Sequence, residues 1–344
     1  MKKKTISKRK RINKSKKKKI NKSKKKRHLN QPLRYSLKII LIILLFIPYS
    51  FISKFYEYME LVKNQEKFYY GRRTSKFKYY NESNLVTFSD KINWLVIHDT
   101  NELKGKCADK ILLHEYSKQK LGKDICNNIL KVYNNTNEIN INELPNQFAL
   151  KTNHGSGFNI IVHNKTNFNL EEAKQELNHW LTIDYGKLGE EFHYSFIKRR
   201  VFVEEYFGSK PINYKFLCYN GEPKYLYVAI RNEFQNANFF DMEFKPLNFN
   251  CINPPLLVNN FEKPKLFEEM KKIARKLSSD FKLVRVDLYE LNNEVKLGEM
   301  TIAPMNGYFY CKNKTHEIEL GKGIDTKNTI HDYFNLFLRH IGLY

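Results

Sequence analysis

The sequence predicts an α+β protein with largely antiparallel sheets, set behind a basic and apolar amino-terminal region. Three observations predict it. The 344 residues include 42% hydrophobic and 14% aromatic side chains, enough for one large domain or two modest ones with a real core. From residue 85 onward, runs with strand character outnumber helical ones. Some of these runs are joined by tight turns, as at Asn220–Pro223 (NGEP), which favours hairpins over the crossovers of a doubly wound parallel sheet.

Charge divides the chain before any motif does. The formal net charge is +24, but residues 1–38 hold 19 Lys and Arg and no acids; the rest has 41 basic against 36 acidic residues. Residues 1–36 therefore read as a disordered, self-repelling polybasic tail. Nucleic-acid binding is disfavoured, because no aromatic residue precedes Tyr35 to stack on a base. Residues 37–53 (LKIILIILLFIPYSFIS) carry no charge from Ile39 to Ile52, are apolar all round, and have Lys38 and Lys54 at their ends. The stretch is short for a span and holds Pro48. It reads as a single-pass membrane anchor, with a membrane-surface helix as the alternative, while the long basic region and missing A-x-A-like site speak against a cleaved signal peptide. The lysine block then places the N-terminus in the cytosol, against anionic lipids. Residues 54–84 read as a charged, tyrosine-rich stalk.

The body, residues 85–325, alternates helices and strands. CADKILLHEYSKQKLG has a helix start at Asp109 and a stop at Gly122. NLEEAKQELNHWL offers Asn169 as N-cap with Glu172 three residues on, and Leu170, Ala173, Leu177, Trp180 and Leu181 on one stripe. PKLFEEMKKIARKLSSDF turns Phe267, Met270, Ile273, Ala274 and Leu277 to one side. VFVEEYF, NYKFLCYN, PKYLYVAI, KLVRVDLYE and EVKLGEMTI read as strands, and residues 326–344 as a C-terminal helix. Cysteines 107, 126, 218, 251 and 311 form no C-x-x-C pair and no zinc spacing, and read as reduced, mostly buried thiols; Cys and His suggest no metal site.

Strand alternation brings acids together. In KLVRVDLYE, Arg285, Asp287 and Tyr289 point one way and Val284, Val286 and Leu288 the other. In EVKLGEMTI, strict alternation puts Glu299 and Thr301 on one face with Val295 and Leu297. If the strands pair across Asn292–Asn293, Asp287 and Glu299 can converge on one surface and invite magnesium, which takes one or two carboxylates plus substrate phosphates. A solvated sheet face is the alternative. FALKTNHGSGFNIIVH adds an anion-binding element: Gly155 and Gly157 let backbone N–H groups approach a phosphate, and Lys151 supplies a compact charge. Taken alone the loop reads as a hairpin turn rather than a lid, and it matches neither a P-loop nor a Rossmann fingerprint. His154 within it reads as a solvated loop residue.

The order of these pieces resembles the ATP-grasp superfamily, and more narrowly its TupA-like members linked to teichuronic acid and other surface-polysaccharide synthesis. The stretches that carry the resemblance are 87–99, 108–122, 144–162, VFVEEYF, NYKFLCYNGEPKY and 284–304, together spanning roughly residues 85–325. The resemblance implies two lobes enclosing a nucleotide cleft, with ATP and Mg2+ bound there. Lys110 and Lys151 would contact phosphates, and Gly155-Ser156-Gly157 would fold over them. Glu204, Glu205 and Phe207 would line the adenine pocket, with backbone groups of Glu205 and Phe207 reading the base. Asp287, Glu299 and Thr301 would hold magnesium, Lys215 is a candidate for phosphate or substrate contact, and Arg285 would either grip an acyl-phosphate or acidic sugar or make an ordinary salt bridge to Asp287. Two departures stand out: the usual ribose-binding acid is missing from GSKPIN, where Asn213 stands near its place, and the E-x-N metal motif reads Glu299-Met300-Thr301.

The implied chemistry is ATP-dependent ligation, in which the γ-phosphate activates a carboxylate for attack by an amine or other nucleophile, within surface glycan biosynthesis. A sugar kinase or glycosyltransferase using the same cleft, and a non-catalytic nucleotide-binding scaffold, are the alternatives. The positive-inside rule sets the domain across the membrane from the tail and from cytosolic ATP. Asn81, Asn134, Asn164 and Asn313 each open an N-x-[ST] sequon, which fits a lumenal domain; the other arrangement is an anchor that only rests on the cytosolic face.

Overall fold

The computed structural model describes residues 52–59, 85–99, 101–188, 191–206, 212–229, 237–251, 261–309 and 311–326. The basic tail, residues 37–51 of the apolar segment, most of the stalk and nearly all of the expected C-terminal helix lie outside them. The chain divides into two units, residues 1–61 and 62–344. In the first, residues 52–59 are helical. Among the described residues no helix is long and apolar enough to cross a membrane.

The second unit opens with α1 (Phe88–His98), which starts on a capping box: Thr87 Oγ1 accepts from the Asp90 N–H, and the Asp90 carboxylate accepts from the Thr87 N–H. Next come α2 (Glu102–Ala108) and α3 (Leu112–Leu121). The helix expected from Asp109 begins slightly later, because Asp109 ends α2 and its Oδ1 accepts from the N–H groups of Ile111 (2.8 Å) and Leu112 (3.2 Å). Gly122 stops α3 at φ 77°, a left-handed C-cap that glycine adopts without steric cost.

The smaller sheet holds β1 (Ile129–Tyr133), β2 (Phe148–Thr152), β3 (Asn159–Val162) and β4 (Val201–Glu205) in the order β1-β4-β2-β3, all antiparallel. Helix α4 (Leu170–Thr182) covers it, with Ala173 and Leu177 buried among Phe148, Leu150, Val162, Val201 and Val203. Asn169 caps α4 as its sequence suggests, accepting from the Glu172 N–H at 3.2 Å. A short helix α5 (Tyr185–Leu188) and a 3-10 turn at Phe192–Phe196 follow.

The larger sheet is antiparallel throughout, ordered β10-β9-β5-β6-β7-β8, from β5 (Asn213–Tyr219), β6 (Glu222–Ala229), β7 (Ala237–Phe240), β8 (Pro246–Leu247), β9 (Leu283–Leu291) and β10 (Glu294–Thr301). Its two tight hairpins use the residues that tolerate positive φ: Asn220 (51°) with Gly221 (82°), and Asn292 (53°) with Asn293 (60°). Helix α6 (Phe267–Ser278) packs on one face and buries Phe267, Met270, Ile273, Ala274 and Leu277 against Phe216, Val284, Val286 and Leu288. Each large side chain there contributes roughly 1.5–3 kcal/mol of transfer free energy, so this stripe is what attaches the helix. Helix α7 (Lys314–Gly321) is the last helix among the described residues, and the Tyr219 hydroxyl donates to Leu320 O at 2.7 Å.

Two expectations are corrected. Glu299 and Thr301 do not share a face with Val295 and Leu297. A β-bulge between Leu297 and Glu299, centred on Gly298, resets the alternation: Leu297 opposes Leu288, while Glu299 opposes Asp287. Val295, Leu297, Met300 and Ile302 all enter the core, and Glu299 and Thr301 turn to the opposite face. Nor are all five cysteines reduced. Cys251 and Cys311 form a disulfide across an isolated antiparallel bridge, and their separation of 60 residues hid the pairing. Cys107 and Cys218 are buried free thiols, and Cys126 is a partly buried one.

Candidate active site

On the side of the smaller sheet, the turn between α2 and α3 and the β2–β3 loop are tied together. Asn153 makes the joint. Its carbonyl accepts from the Lys110 N–H (3.1 Å), its Nδ2 donates to Asp109 Oδ2 (2.8 Å) and Lys198 O (3.0 Å), and its Oδ1 accepts from the Arg200 N–H (2.7 Å). Lys110 is thereby aimed at the glycine loop, where Nζ donates to Gly155 O at 2.6 Å. Burial pulls the Lys110 pKa down to about 8, against the opposing pull of Glu299, Asp109 and Glu204. Lys151, on β2, pairs with Glu204 Oε2 on β4.

Gly155 and Gly157 adopt φ 72° and 81°. A Cβ on Gly155 would meet the Tyr185 ring at 2.7 Å and the Phe158 ring at 2.9 Å, whereas one on Gly157 would meet nothing. Ser156 is exposed at the tip, within hydrogen-bonding range of Tyr185. His154 is not the solvated residue expected. It is 1% exposed, packs edge-on to Phe158, and its ring nitrogens have no well-formed hydrogen bond. Burial, with Arg199 and Lys110, pushes its pKa down to about 4, so it sits neutral under the loop. The apolar run that continues past the loop explains the burial: Phe158 stacks on Trp180 of α4 and carries the loop base down with it.

The larger sheet supplies the acids. Asp287 lies opposite Lys215 on β5 and opposite Glu299 on β10, and Arg285 lies opposite Thr301. The bulge at Gly298 makes this one continuous polar face. Arg285 donates to Asp287 through Nε (2.6 Å) and a terminal nitrogen (2.7 Å), reaches Glu299 through that same nitrogen, and donates to the Tyr227 hydroxyl at 3.1 Å. Lys215 pairs with Asp287 Oδ2. Thr301 Oγ1 donates to Glu299 Oε1 at 2.9 Å. Asp287 is buried, but the Glu299 side chain is 48% exposed and open to a ligand. The crowding around Glu299 raises its pKa, yet Arg285, Lys215, Thr301 and Lys110 outweigh this and hold it at about 2. For Arg285, burial opposes the charge and the facing carboxylates overcome it, raising its pKa.

The two sides meet through a hydrogen-bonded chain that the sequence reading missed. Glu204 accepts from Lys151 and from Asn127 Nδ2 (3.3 Å), and Asn127 accepts from the Tyr289 hydroxyl on β9. Tyr289 was legible as sharing the Asp287 face; Asn127, in an asparagine-rich stretch, carried no signal. The Glu205 N–H donates to Asn128 O at 3.0 Å, so this amide is spent inside the sheet. Phe207 lies outside the described residues. The structure therefore gathers Lys110, Lys151, the glycine loop and Glu204 on one side, and Lys215, Arg285, Asp287, Glu299 and Thr301 on the other. Lysine ammonium groups, which could hold phosphates, face hard oxygen donors of the kind magnesium takes, so the donor set fits the ion.

A family model described as TupA-like ATPgrasp matches residues 90–325. No curated protein matches the chain. Among solved structures, it is similar to a D-alanine–D-alanine ligase from Bacillus anthracis complexed with ATP (17% identity, 57% of this chain and 54% of that one, TM-score 0.33). It is also similar to a D-alanine–D-alanine ligase from Helicobacter pylori (20%, 64% and 60%, 0.35) and to an L-amino acid ligase from Bacillus licheniformis (12%, 65% and 51%, 0.38). The chain thus spans little more than half the length of these solved chains, and likeness at these TM-scores assigns nothing by itself. The family model covers well over half of the sequence, and the chain belongs to the TupA-like ATP-grasp family.

Proposed function

We propose that the chain is an ATP- and magnesium-dependent ligase that activates a carboxylate with the γ-phosphate of ATP and couples it to an amine or related nucleophile on a surface glycan. The observation that carries this reading is the polar face of the larger sheet, with Lys215, Arg285, Asp287, Glu299 and Thr301, set against Lys110, Lys151 and the glycine loop, close enough for Lys110 and Glu299 to feel each other's charge. Lys110 and Lys151 hold the phosphates, and the loop closes over them. Asp287 and Glu299 would hold magnesium, with the Thr301 hydroxyl as a neutral third oxygen; the ion's contribution is to offset phosphate charge. Arg285, kept cationic by its two carboxylates, stabilises the charge that builds on the reacting carboxylate and phosphoryl oxygens. Asp287 and Glu299 each already have a basic partner. Nucleotide binding therefore exchanges partners and leaves no charge unpaired.

The test is ADP release by the purified protein. Release that requires both a carboxylate and an amine supports ligation. Release with a sugar hydroxyl alone points to a kinase, and nucleotide binding without turnover to a scaffold.

We further infer that the domain matures on the oxidising side of a membrane, across from the basic tail. The Cys251–Cys311 disulfide favours this, as do the exposed positions of Asn134, Asn164 and Asn313, each followed two residues on by threonine. The reading requires ATP on that side. Digestion of the domain by protease added to intact membranes, without detergent, would overturn it.

A further inference from the structure

We propose that His114, Asp124 and Cys126 form a second metal site, which takes one borderline divalent cation of the zinc type in an open cleft beside α3. One nitrogen, one oxygen and one sulfur donor lie within 4.8 Å of one another. His114 Nδ1 and Asp124 Oδ2 are 2.6 Å apart. This mixed set selects against magnesium and calcium, which prefer oxygen alone, and suits zinc, which accepts all three donors.

The donors stand on a frame that is fixed without an ion. His114 belongs to α3, and its neighbour Ser117 accepts from the Ile125 N–H at 3.3 Å. Asp124 turns its second oxygen back onto the Cys126 N–H at 3.0 Å. Between them, Ile125 O accepts from the Leu297 N–H on β10 at 2.9 Å, and Cys126 forms a parallel bridge with Leu297. Approach is open, because the three residues line a cleft of about 620 Å³ whose other walls include Asn127, Glu205 and Glu294. Three protein ligands leave a fourth, water-accessible position. On binding, the Cys126 sulfur gives its proton to solvent and the His114–Asp124 contact is replaced by two metal bonds. The ion then links α3 to the segment that carries Asn127 into the bridge between the sheets. Nothing in this depends on whether the polar face between the sheets turns over ATP.

The experiment uses the full chain, stripped with chelator and titrated with zinc against a chromophoric indicator, then with cobalt as a spectroscopic stand-in. The expected result is one equivalent of tightly bound zinc and a thiolate-to-cobalt charge-transfer band. Cys126→Ser should abolish the band, and both it and His114→Ala should weaken zinc binding about a hundredfold or more, beyond the roughly ten- to hundredfold that losing an outer-shell partner typically costs. Asp287→Asn, in the magnesium site, should keep the band. Equal melting temperatures of Cys126→Ser and wild type in chelator would confirm that the variant is folded. Failure of the folded wild type to take up one equivalent, or a cobalt band that survives Cys126→Ser, would overturn the proposal.

Discussion

Lys110 offers the sharpest prediction, because its environment moves its titration into an accessible range. Burial brings its pKa to about 8, down from the ordinary lysine value. A folded-state value lowered in this way means the charge is present below pH 8 and lost as pH rises through it. If Lys110 binds ATP phosphate as the ammonium, affinity follows the charged fraction, which drops from about 0.9 at pH 7 to about 0.1 at pH 9. The dissociation constant for Mg-ATP should therefore rise about tenfold across that interval. Binding should also take up about half a proton at pH 8 and close to one at pH 9, since phosphate restores the charge. Calorimetry in buffers of different ionisation enthalpy reads both quantities. Lys110→Arg keeps a guanidinium charged throughout and should flatten the profile. Lys110→Met should flatten it too, but with binding weaker by about 1.5–3 kcal/mol. Affinity that holds constant from pH 7 to 9 in the wild type, or proton release on binding, would refute the role given to Lys110.

Other consequences follow from the same geometry. Arg285→Ala leaves Asp287 and Glu299 facing each other without their shared cation, so turnover measured by ADP release should fall about 100- to 1000-fold, and Arg285→Lys should restore little because the bidentate grip is gone. Gly155→Ala should lower the melting temperature more than Gly157→Ala: both carry the left-handed backbone cost of about 1–2 kcal/mol, but only at Gly155 does the new methyl strike Tyr185 and Phe158. Reduction, or the Cys251→Ser variant, should cost about 4 kcal/mol by loop-closure entropy for a 60-residue separation, measured by denaturant unfolding.

Much of the fold was legible because local signals agreed with tertiary contacts. The stripe in α6, the Asn169 cap and the Asn-Gly and Asn-Asn hairpins each name one structure, and each is found. The lysines, the glycine loop and the acids were also legible, as residue types in a known order. What escaped depends on geometry that no local pattern encodes. Strict alternation sent Glu299 toward Val295 and Leu297, and only the bulge at Gly298 brings it back to Asp287. His154 looked polar and exposed, but Phe158 draws it under the loop. Asn153, Asn127 and Tyr227 bind their neighbours through side chains whose partners are distant in sequence. The Cys251–Cys311 pair was invisible for the same reason.

If the polar face between the sheets is a Mg-ATP site, nucleotide must stabilise the folded protein, and thermal unfolding with and without nucleotide decides the matter. At ligand a hundredfold above its dissociation constant, binding to the native state alone adds about 2.7 kcal/mol. ATP should stabilise the wild type strongly with magnesium and weakly without it, and Asp287→Asn, compared with its own form without nucleotide, should lose the magnesium-dependent part. A folded wild type whose melting temperature is unmoved by Mg-ATP, or an Asp287→Asn variant stabilised as fully as the wild type, would contradict it.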